Sequence, residues 1–397
     1  MVLKAFKLRL YPNKTQRNQI HVNFGCARFV WNQMLNMHIE RYKNNKKAKF
    51  QGRYSMDVML KALKIEYPWL KQAESTSLQR VNRDLDDAFQ RFFNPDLQNG
   101  FPRFKSKKNT NQSYTSKFVN NNIRIVDEHH IKLPKLGLVY FKAGRILNGK
   151  IRVVTVSVNS RKQYQASILV ESENQTFKKT KKSVGIDLGL KSLTITSDGQ
   201  KEDILKVDDR LNKKLRIWER KKSRRYENAK KAMAFDEHDK VLFPRTDLKQ
   251  FPRYQQAVRT VAKLKRHIAE RRRDNLHKLT TRLVKDYDTI VVENLSVKNM
   301  MQNHHLSAAI ANASWGTLIS QLKYKCAWYG KRLIIIDPKN TSRICHECKQ
   351  KNHEFDSLSQ SEWLAAREWD CPNCHAHLDR DVNAAKNILA KGLETLS

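Results

Sequence analysis

Apolar and basic residues alternate at the start of the chain, from Val2 to Tyr11, as they do along a strand with one face in water. Pro12 and Asn13 end this pattern, and from Thr15 to about Phe93 the apolar spacing becomes helical. Two apolar stripes carry the helical pattern: Phe24, Ala27, Phe29, Val30, Trp31, Met34 and Leu35, and then Leu78, Val81, Leu85, Ala88, Phe89 and Phe92. The sequence therefore predicts one exposed strand followed by a helical region.

A period of two returns between about Ile123 and Ser172. The segments NIRIVDEHHIKLP, GLVYFKAGR, GKIRVVTVSVNS and YQASILVES are typical of strands joined by turns. The first strand has the same period, so we expect it to join them in a small β-barrel or sandwich. The helical region would then be an insertion into that sheet.

Strands and helices alternate after residue 183. SVGIDLGLKSLTITSDGQ predicts a strand, a Gly turn and a second strand, and long charged helices follow from about Asp208 to Ala232 and from Tyr254 to Lys285. DTIVVENL predicts a short buried strand, SWGTLISQLKYKCAWYG a helix, KRLIIIDP a strand and DRDVNAAKNILAKGL a closing helix. This alternation indicates an α/β domain.

Charge changes the picture more than any other bulk property. The chain has 397 residues, with 77 Lys and Arg against 39 Asp and Glu, a net charge of +38. Such an excess is self-repulsive, and nucleic acid is the usual polyanion that relieves it. The alternative classes are ribosomal and membrane-surface proteins. No apolar run of about 18 residues is present and the N-terminus lacks a signal-peptide core, so we expect a soluble, intracellular protein.

Two basic segments are candidates for nucleic-acid contact. Arg210–Lys231 holds eleven basic and two acidic residues, and GFPRFKSKK (Gly100–Lys108) combines aromatic with basic side chains, which can stack bases and hold phosphates. Solvated helix faces and core packing of the phenylalanines are the alternatives. The candidate contacts are Phe101, Arg103, Phe104, Lys105, Lys107, Arg220, Lys221, Arg224 and Arg225.

Three acids stand where a metal site would need them. Asp187 and Glu293 each end an apolar strand, where a carboxylate is costly to bury unless something neutralises it, and the third acid begins the final helix. Carboxylates from separate elements at one sheet edge make a hard oxygen site for Mg²⁺ or Mn²⁺, suited to phosphodiester hydrolysis. Asp379 suits an N-cap role, so we choose Asp381, with Asp379 as the fallback. The alternative for each acid taken singly is a role as a helix cap or in a salt bridge. The motif VGIDLG is also not specific, since it occurs in sugar kinases and actin-like ATPases.

Four of the six cysteines form two CxxC pairs, Cys345/Cys348 and Cys371/Cys374, separated by 22 residues. Two such turns complete a tetrahedral thiolate cage for Zn²⁺. His346, His353, His375 and His377 lie nearby, but four thiolates already close the coordination shell. A closed site is structural, so we expect zinc to stabilise this region rather than to cut.

Together these motifs resemble the TnpB family of RNA-guided DNA endonucleases, which insertion sequences encode and which is related to type V CRISPR effectors. The resemblance covers nearly the whole chain, and the motifs that carry it are LKAFKLRLYPNKTQ, GCARFVWNQML, SLQRVNRDLDDAFQRFF, GFPRFKSK, VGIDLGLKSL, VVENLSVKNM, CHEC, CPNC and DRDVNAAKNIL. It implies an α+β multidomain protein with a wedge β-barrel (1–14 and 110–178), a helical recognition domain (15–109), a RuvC-like nuclease domain of RNase H fold (179–340 and 378–397) and a zinc-ribbon insert (341–377).

The resemblance also implies an activity, and with it partners. Family members bind a transposon-end-derived guide RNA, recognise a short adjacent motif and cut complementary double-stranded DNA, with Asp187, Glu293 and Asp381 as catalytic residues here. We expect a prokaryotic, cytoplasmic and nucleoid-associated protein, with a monomer as the preferred state and no membrane partner. The departures are a long loop between the CxxC pairs and a less basic segment between the charged helices. A DDE-type transposase and a non-cleaving RNA-guided regulator are the rivals; the acid order Asp, Glu, Asp disfavours the transposase.

Overall fold

The computed structural model describes residues 1–97, 99–109, 111–142, 149–159, 162–173, 176–203, 209–232, 245–296, 300, 302, 310, 313–356, 362 and 366–396. The chain divides into two compact units, Met1–Glu173 and Asn174–Ser397. Among the described residues, no helix combines the length and the apolar character that crossing a membrane requires.

One antiparallel sheet organises the first unit. Its order is β2-β6-β7-β1-β5-β4-β3, and within the described residues no pairing joins the outer strands β2 and β3. The barrel-like sheet expected from the sequence is thus present as a single seven-stranded layer. The strands are β1 (Val2–Leu10), β2 (Gln112–Lys117), β3 (Arg124–Ile125), β4 (His130–Leu133), β5 (Gly137–Lys142), β6 (Lys150–Val158) and β7 (Tyr164–Ser172).

The first strand joins this sheet, as its shared period predicted, and it lies between β7 and β5. Leu8 and Leu10 point into the core and are buried. The strand that the sequence did not predict is β2. Only two of its residues, Tyr114 and Ser116, are buried, and a polar segment of this kind carries little apolar alternation.

The predicted helical insertion follows β1 and consists of α1 (Lys14–Asn44), α2 (Arg53–Glu66) and α3 (Ser75–Phe93), with short 3₁₀ turns at Pro68–Gln72 and Pro95–Leu97. Asn13 caps α1 in a capping box with Gln16. The apolar stripe of α1 packs on the sheet, where Phe24 meets the ring of Tyr114 edge-on at 5.8 Å. Helices and sheet therefore share one hydrophobic core.

The second unit contains a five-stranded sheet of order β10-β9-β8-β11-β12. β8, β11 and β12 are parallel, whereas β9 and β10 continue from β8 as antiparallel neighbours. The short strand β10 was not predicted from the sequence. The strands are β8 (Ser183–Asp187), β9 (Ser192–Thr196), β10 (Lys201–Asp203), β11 (Thr289–Glu293) and β12 (Arg332–Ile336).

Four helices of this unit follow the predicted pattern: α4 (Asp209–Lys231), α5 (Pro252–Asp286), α6 (Trp315–Tyr329) and α7 (Arg380–Glu394). α7 packs very closely on β8. A Cβ atom at Gly185 would lie 2.6 Å from the backbone N of Leu389 and would clash with the carbonyl oxygen of Ala385. Ala384 and Ala385 are buried, and their small side chains let this helix lie close to the sheet.

Candidate active site and cysteine cluster

Two neighbouring parallel strands deliver the first two candidate carboxylates. Ile186 of β8 pairs with Val292 of β11, so the next residues, Asp187 and Glu293, end their strands side by side. Both strands are buried along their length because the sheet is covered on both faces. The carboxyl-terminal edge of the sheet therefore carries two acids on adjacent strands.

The electrostatics of Asp187 show that a third acid is close. Burial and the negative charges of Glu293 and Asp381 raise the pKa of Asp187 to about 7, against the opposing backbone N–H of Leu188 and the charge of Arg380. Like charges disfavour the ionised form only when they are near one another. The fold thus brings all three predicted acids into one electrostatic neighbourhood.

Glu293 is held by a partner of its own. It is 6% exposed, and burial raises its pKa while a hydrogen bond from Thr341 opposes that rise. The Thr341 hydroxyl donates to Glu293 Oε1, and Thr341 is itself buried. Asn387 of α7 donates to the carbonyl oxygen of Thr341 at 2.9 Å. The threonine is therefore fixed from both sides.

The beginning of α7 separates the roles of its two acids. Asp379 is the N-cap: its carboxylate accepts from the backbone N of Asp381 at 3.0 Å and of Val382 at 2.9 Å, as predicted. Asp381 lies in the first turn, where its carboxylate pairs with Arg380 at 3.0 Å and Arg367 at 3.3 Å. Of these two acids of α7, Asp381 is the one whose charge raises the pKa of Asp187.

The four predicted cysteines form a compact cluster. Their Sγ atoms all lie within 4.8 Å of one another, and of the described residues they are the only set of three or more ligand groups that meets this spacing. The three carboxylates are therefore more widely spaced than the thiols. The Sγ atoms of Cys345 and Cys374 are 3.7 Å apart and those of Cys348 and Cys371 are 3.6 Å apart, far longer than a disulfide bond of about 2.05 Å.

A small scaffold supports this cluster. Strands β13 (Glu368–Asp370) and β14 (His377–Asp379) form a hairpin around the second CxxC turn, and Ile344 bridges to Lys351 around the first. Phe355 packs edge-on against Trp369 at 5.1 Å beneath the cysteines. The arrangement can hold one metal ion in a closed thiolate site.

Side chains of α7 tie the first CxxC turn to the carboxylate site. Asn383 and Asn387 both donate to the carbonyl oxygen of Ile344, at 2.8 and 2.6 Å, and Asn383 accepts from the backbone N of His346 at 2.8 Å. The sequence analysis did not assign these asparagines or Thr341. The signal that could have found the asparagines is their spacing of four residues, which puts both on one helix face.

The predicted nucleic-acid contacts at residues 101–107 divide into anchored and exposed side chains. The carbonyl oxygen of Arg103 accepts from Trp31 Nε1 at 3.0 Å, and Lys105 Nζ lies 3.6 Å from the centre of the Trp31 ring. Phe101 packs edge-on against two phenylalanine rings of α3 and still exposes 44% of its surface, and Phe104 exposes 55%. Arg103 and Lys107 are exposed.

The four candidates on α4 divide in the same way. Lys221 and Arg225 lie over the ring of Trp218, at 5.0 and 5.7 Å, and Arg225 donates to the carbonyl oxygen of Arg253 on α5 at 2.7 Å. Arg225 therefore contributes to the packing of α4 against α5, whereas Lys221 packs on a ring of its own helix. Arg220 and Arg224 are exposed.

Comparison with protein families supports the resemblance seen in the sequence. The family described as "Helix-turn-helix domain" matches residues 1–47, "Probable transposase" matches residues 167–304, and "Cas12f1-like, TNB domain" matches residues 315–388, which include all four clustered cysteines. In the structure, residues 1–47 contain strand β1 and the single helix α1.

Two curated relatives cover essentially the whole chain. A protein of Streptomyces pristinaespiralis described as "Putative RNA-guided DNA endonuclease" is 33% identical over 399 residues, 99% of this chain and 90% of that protein. InsQ of Escherichia coli (strain K12), which has the same description, is 30% identical over 412 residues, 100% of this chain and 94% of InsQ. The chain belongs to the TnpB family of RNA-guided DNA endonucleases.

This TnpB-family chain also has a structural neighbour of similar size. The cryo-EM structure of a Cas12f1–sgRNA–target DNA complex gives a TM-score of 0.57 at 13% identity and covers 98% of both chains. At this identity the likeness concerns the fold alone, and it confirms the expected mixed α/β multidomain class.

Proposed function

We propose that the chain cuts double-stranded DNA under the direction of a guide RNA, with Asp187, Glu293 and Asp381 as its catalytic carboxylates. One observation carries this proposal: two adjacent parallel strands end in Asp187 and Glu293, and the first turn of α7 brings a third negative charge into the field of Asp187. The relatives named as RNA-guided DNA endonucleases support the activity. The net charge of +38 suits a polyanionic substrate.

The sheet of the second unit supports a RuvC-like domain of RNase H fold. Three strands in antiparallel succession followed by two parallel strands, in the order β10-β9-β8-β11-β12, is the arrangement of that fold. We propose the domain division given by the family resemblance: a wedge (1–14 and 110–178), a helical recognition domain (15–109), a nuclease domain (179–340 and 378–397) and a ribbon (341–377). Along the sequence, the first compact unit ends at Glu173, close to the proposed wedge boundary.

The carboxylate site fits Mg²⁺ or Mn²⁺. Hard oxygen donors suit these ions. Burial and, after it, the charges of Glu293 and Asp381 raise the pKa of Asp187, and a bound cation would neutralise those charges. Divalent cations bound there would supply activation of water and stabilisation of the leaving oxygen. Thr341 fixes one oxygen of Glu293, while Arg380 and Arg367 neutralise Asp381. Cations that bind Asp381 would compete with these two arginines.

The cysteine cluster fits Zn²⁺. Four Zn–S bonds of about 2.3 Å in a tetrahedron place neighbouring sulfurs about 3.8 Å apart, close to the observed 3.6 and 3.7 Å. All four positions are thiolates, so the ion would be closed to substrate and would stabilise the ribbon. Cleavage is therefore assigned to the carboxylate site.

The partners follow from the relatives and from the charge. We propose a guide RNA derived from a transposon end and a double-stranded DNA target flanked by a short motif, in the nucleoid of a prokaryotic cell. The neighbouring Cas12f1 structure is a complex with an sgRNA and target DNA. The target would be read by base pairing, and the flanking motif by the protein.

The test compares three aspartates. The chain is purified together with its bound RNA and is then incubated with a plasmid, with and without Mg²⁺. The plasmid carries the sequence that matches this RNA, and the positions beside that sequence are randomised. Asp187→Ala and Asp381→Ala should retain RNA and lose cleavage by about 10³-fold, because bound cations contribute several kcal/mol of transition-state stabilisation. Asp379→Ala should cost about 1 kcal/mol of helix stability and leave cleavage detectable.

Each rival predicts a different result. A DDE-type transposase would join the cut DNA ends to another strand by direct strand transfer. A regulator would bind the target and leave it intact in Mg²⁺ or Mn²⁺. Equal cleavage by wild type and Asp187→Ala would refute the carboxylate assignment itself.

A further inference from the structure

A basic cavity in the first unit has no role in the catalytic proposal. Its volume is about 720 Å³, and three segments line it: the first turns of α1, the loop before β2 and the ends of β6 and β7. Its cations come from all three segments: Lys14, Arg17, Lys107, Lys108 and Lys162. We propose that this cavity binds unpaired nucleotides of the guide RNA, which rests on the proposed function and names a site for one of its partners.

The charge of the cavity points to an anion. No Asp or Glu is among its lining residues, and no ion pair found among the described residues involves any of its five cations. All five line the cavity and are exposed, and no acidic side chain among the lining residues neutralises their charges. Bound phosphates would relieve this repulsion, and released counterions would add to the affinity.

The size of the cavity selects unpaired nucleic acid. Its volume of about 720 Å³ lies within the range of about 300–1,000 Å³ that small-molecule sites occupy. One or two nucleotides fit such a volume, whereas a double helix does not enter it. Under the proposed function, target DNA reaches the chain as a duplex and exposes a single strand only after the guide has paired with it. The partner that carries unpaired segments from the outset is the guide RNA.

Groups that can recognise bases lie among the cations. Tyr164 is 9% exposed and its hydroxyl lies 3.0 Å from His21 Nε2, which gives the cavity a polar, partly aromatic floor. The amides of Asn109, Gln112 and Asn159 also line it. Unpaired RNA is recognised by stacking on such rings and by hydrogen bonds to base edges.

The cavity walls are fixed before any ligand arrives. Gln112 donates to the carbonyl oxygens of Lys107 at 3.1 Å and Asn109 at 3.2 Å, and it accepts from Arg28 of α1 at 3.3 Å. On the opposite wall, the backbone N of Lys162 donates to the carbonyl oxygen of Asn159 at 2.8 Å. Prior ordering of these segments lowers the entropic cost of binding.

The experiment removes three charges from the cavity and three from elsewhere in the same unit. The test variant is Lys14→Gln/Arg17→Gln/Lys162→Gln, and the control is Lys46→Gln/Lys47→Gln/Lys49→Gln, which changes exposed lysines outside the cavity. The probes are a 20-nucleotide oligouridine RNA containing 4-thiouridine and a 20-base-pair DNA duplex. Affinity is measured at several salt concentrations, and crosslinked peptides are identified by mass spectrometry.

The cavity variant should bind the RNA about 10–50-fold more weakly near physiological salt, and its salt slope should fall by about 2, since each lost phosphate contact removes about 0.7. The control should keep the wild-type slope. In wild type, crosslinks should fall on peptides that contain His21 or Tyr164, and the cavity variant should lose them. If the triple variant unfolds at a lower temperature than wild type, the single variant Lys162→Gln is used instead. It should show about a third of the change in salt slope expected for the triple variant.

Three results would overturn the proposal: an unchanged slope, an equal change in the control, or a larger loss for the duplex than for the RNA. The last result would assign the cavity to DNA. These outcomes are separable from failure of the proposed function. If wild type cuts DNA under guidance and the cavity variant binds RNA as wild type does, only the cavity proposal is refuted. If RNA crosslinks form in the cavity but no preparation cuts DNA, only the proposed nuclease activity is refuted.

Discussion

The cysteine cluster and the carboxylate site belong to the same unit, but they are built in opposite ways. Four sulfurs from two short turns come within 4.8 Å of one another and are ready to enclose an ion. The carboxylates come from residues 187, 293 and 381, and each is held by different partners at a wider spacing. Local turns thus create a closed thiolate site, whereas packing between a sheet and a helix gathers like-charged carboxylates at one edge of the sheet.

Helix α7 connects the two constructions. It carries Asp381 in its first turn, and its asparagines hold the backbone of the first CxxC turn and of Thr341. Its close contact with β8 depends on Gly185, where any side chain would meet the helix backbone. A disturbance of the cysteine cluster should therefore reach the carboxylates through α7, and the predictions below test how strongly.

Removal of one cysteine should have the largest effect. Cys345→Ser leaves an incomplete thiolate cage, and structural zinc in small domains contributes apparent binding free energies of about 10–16 kcal/mol. We expect bound zinc to fall from about one ion per chain to near zero, and protease cleavage within residues 341–377 to become rapid. Metal analysis and limited proteolysis measure the two changes, and a strong chelator should reproduce both in wild type.

The matched control removes a cysteine that lies outside the cluster. Cys326 is buried in α6 and belongs to the main core of the unit, so Cys326→Ala should retain the zinc. If Cys345→Ser kept a full equivalent of zinc and resisted proteolysis, the closed-site description would be wrong. If it lost zinc but cut guided DNA at the wild-type rate, the proposed link through α7 would be wrong instead.

The sequence predicted the parts of these sites that local pattern determines. The spacing of the cysteines gave the cluster, and the apolar runs before Asp187 and Glu293 gave two strands that end in acids. The cap assignment of Asp379 followed from its place before the helix. These features need only residues that are close in sequence, which is why a single chain reveals them.

Features that depend on long-range packing were not predictable. Thr341 lies 48 residues from Glu293, and no local pattern marks its hydroxyl as the donor. The pairing of Asp381 with Arg367 depends on how the ribbon folds back to α7. Strands β2 and β10 carry few apolar residues, so only their partners in the sheet reveal them. The basic cavity likewise combines three segments that the sequence separates widely.

A carboxylate at the other end of β11 sharpens the contrast with Asp187. Asp288 accepts a hydrogen bond from Lys331, whose side chain is 1% exposed, and from the backbone N of Thr180 and Lys181. These contacts hold the pKa of Asp288 well below its usual value of 3.8. Because Asp288→Asn leaves the buried ammonium without its counter-charge, we expect a loss of about 2 kcal/mol at neutral pH, less than for a fully buried pair.

The lowered pKa fixes how this loss varies with pH. A depressed folded-state pKa stabilises the fold above the unfolded value near 3.8, and the contribution is lost as pH falls below it toward the folded value. In urea unfolding, the free energies of unfolding of wild type and Asp288→Asn should therefore differ most above pH 5, and the difference should shrink progressively as the pH falls below about 4. Asp286→Asn removes an exposed charge two positions away and should change little. A constant difference across this range would contradict the ion-pair explanation.

The smallest expected effect concerns Thr341, which we propose as a positioning residue for Glu293. Thr341→Val keeps the shape of the side chain and removes the hydrogen bond to the carboxylate. A hydrogen bond to a charged group contributes about 1.5–3 kcal/mol, so cleavage should slow by at least about tenfold while RNA binding is unchanged. Thr341→Ser restores the hydroxyl and should recover most of the rate.

A pH profile distinguishes positioning from general destabilisation. The hydrogen bond from Thr341 lowers the pKa of Glu293 against the effect of burial, so its loss should raise that pKa further. The ionised carboxylate is the form that would hold a cation, and the acid limb of the cleavage profile should therefore move to higher pH in Thr341→Val, with more Mg²⁺ needed for half-maximal rate. A slower rate with an unmoved profile and an unchanged Mg²⁺ requirement would instead mean that the threonine only stabilises the loop beside the first CxxC turn.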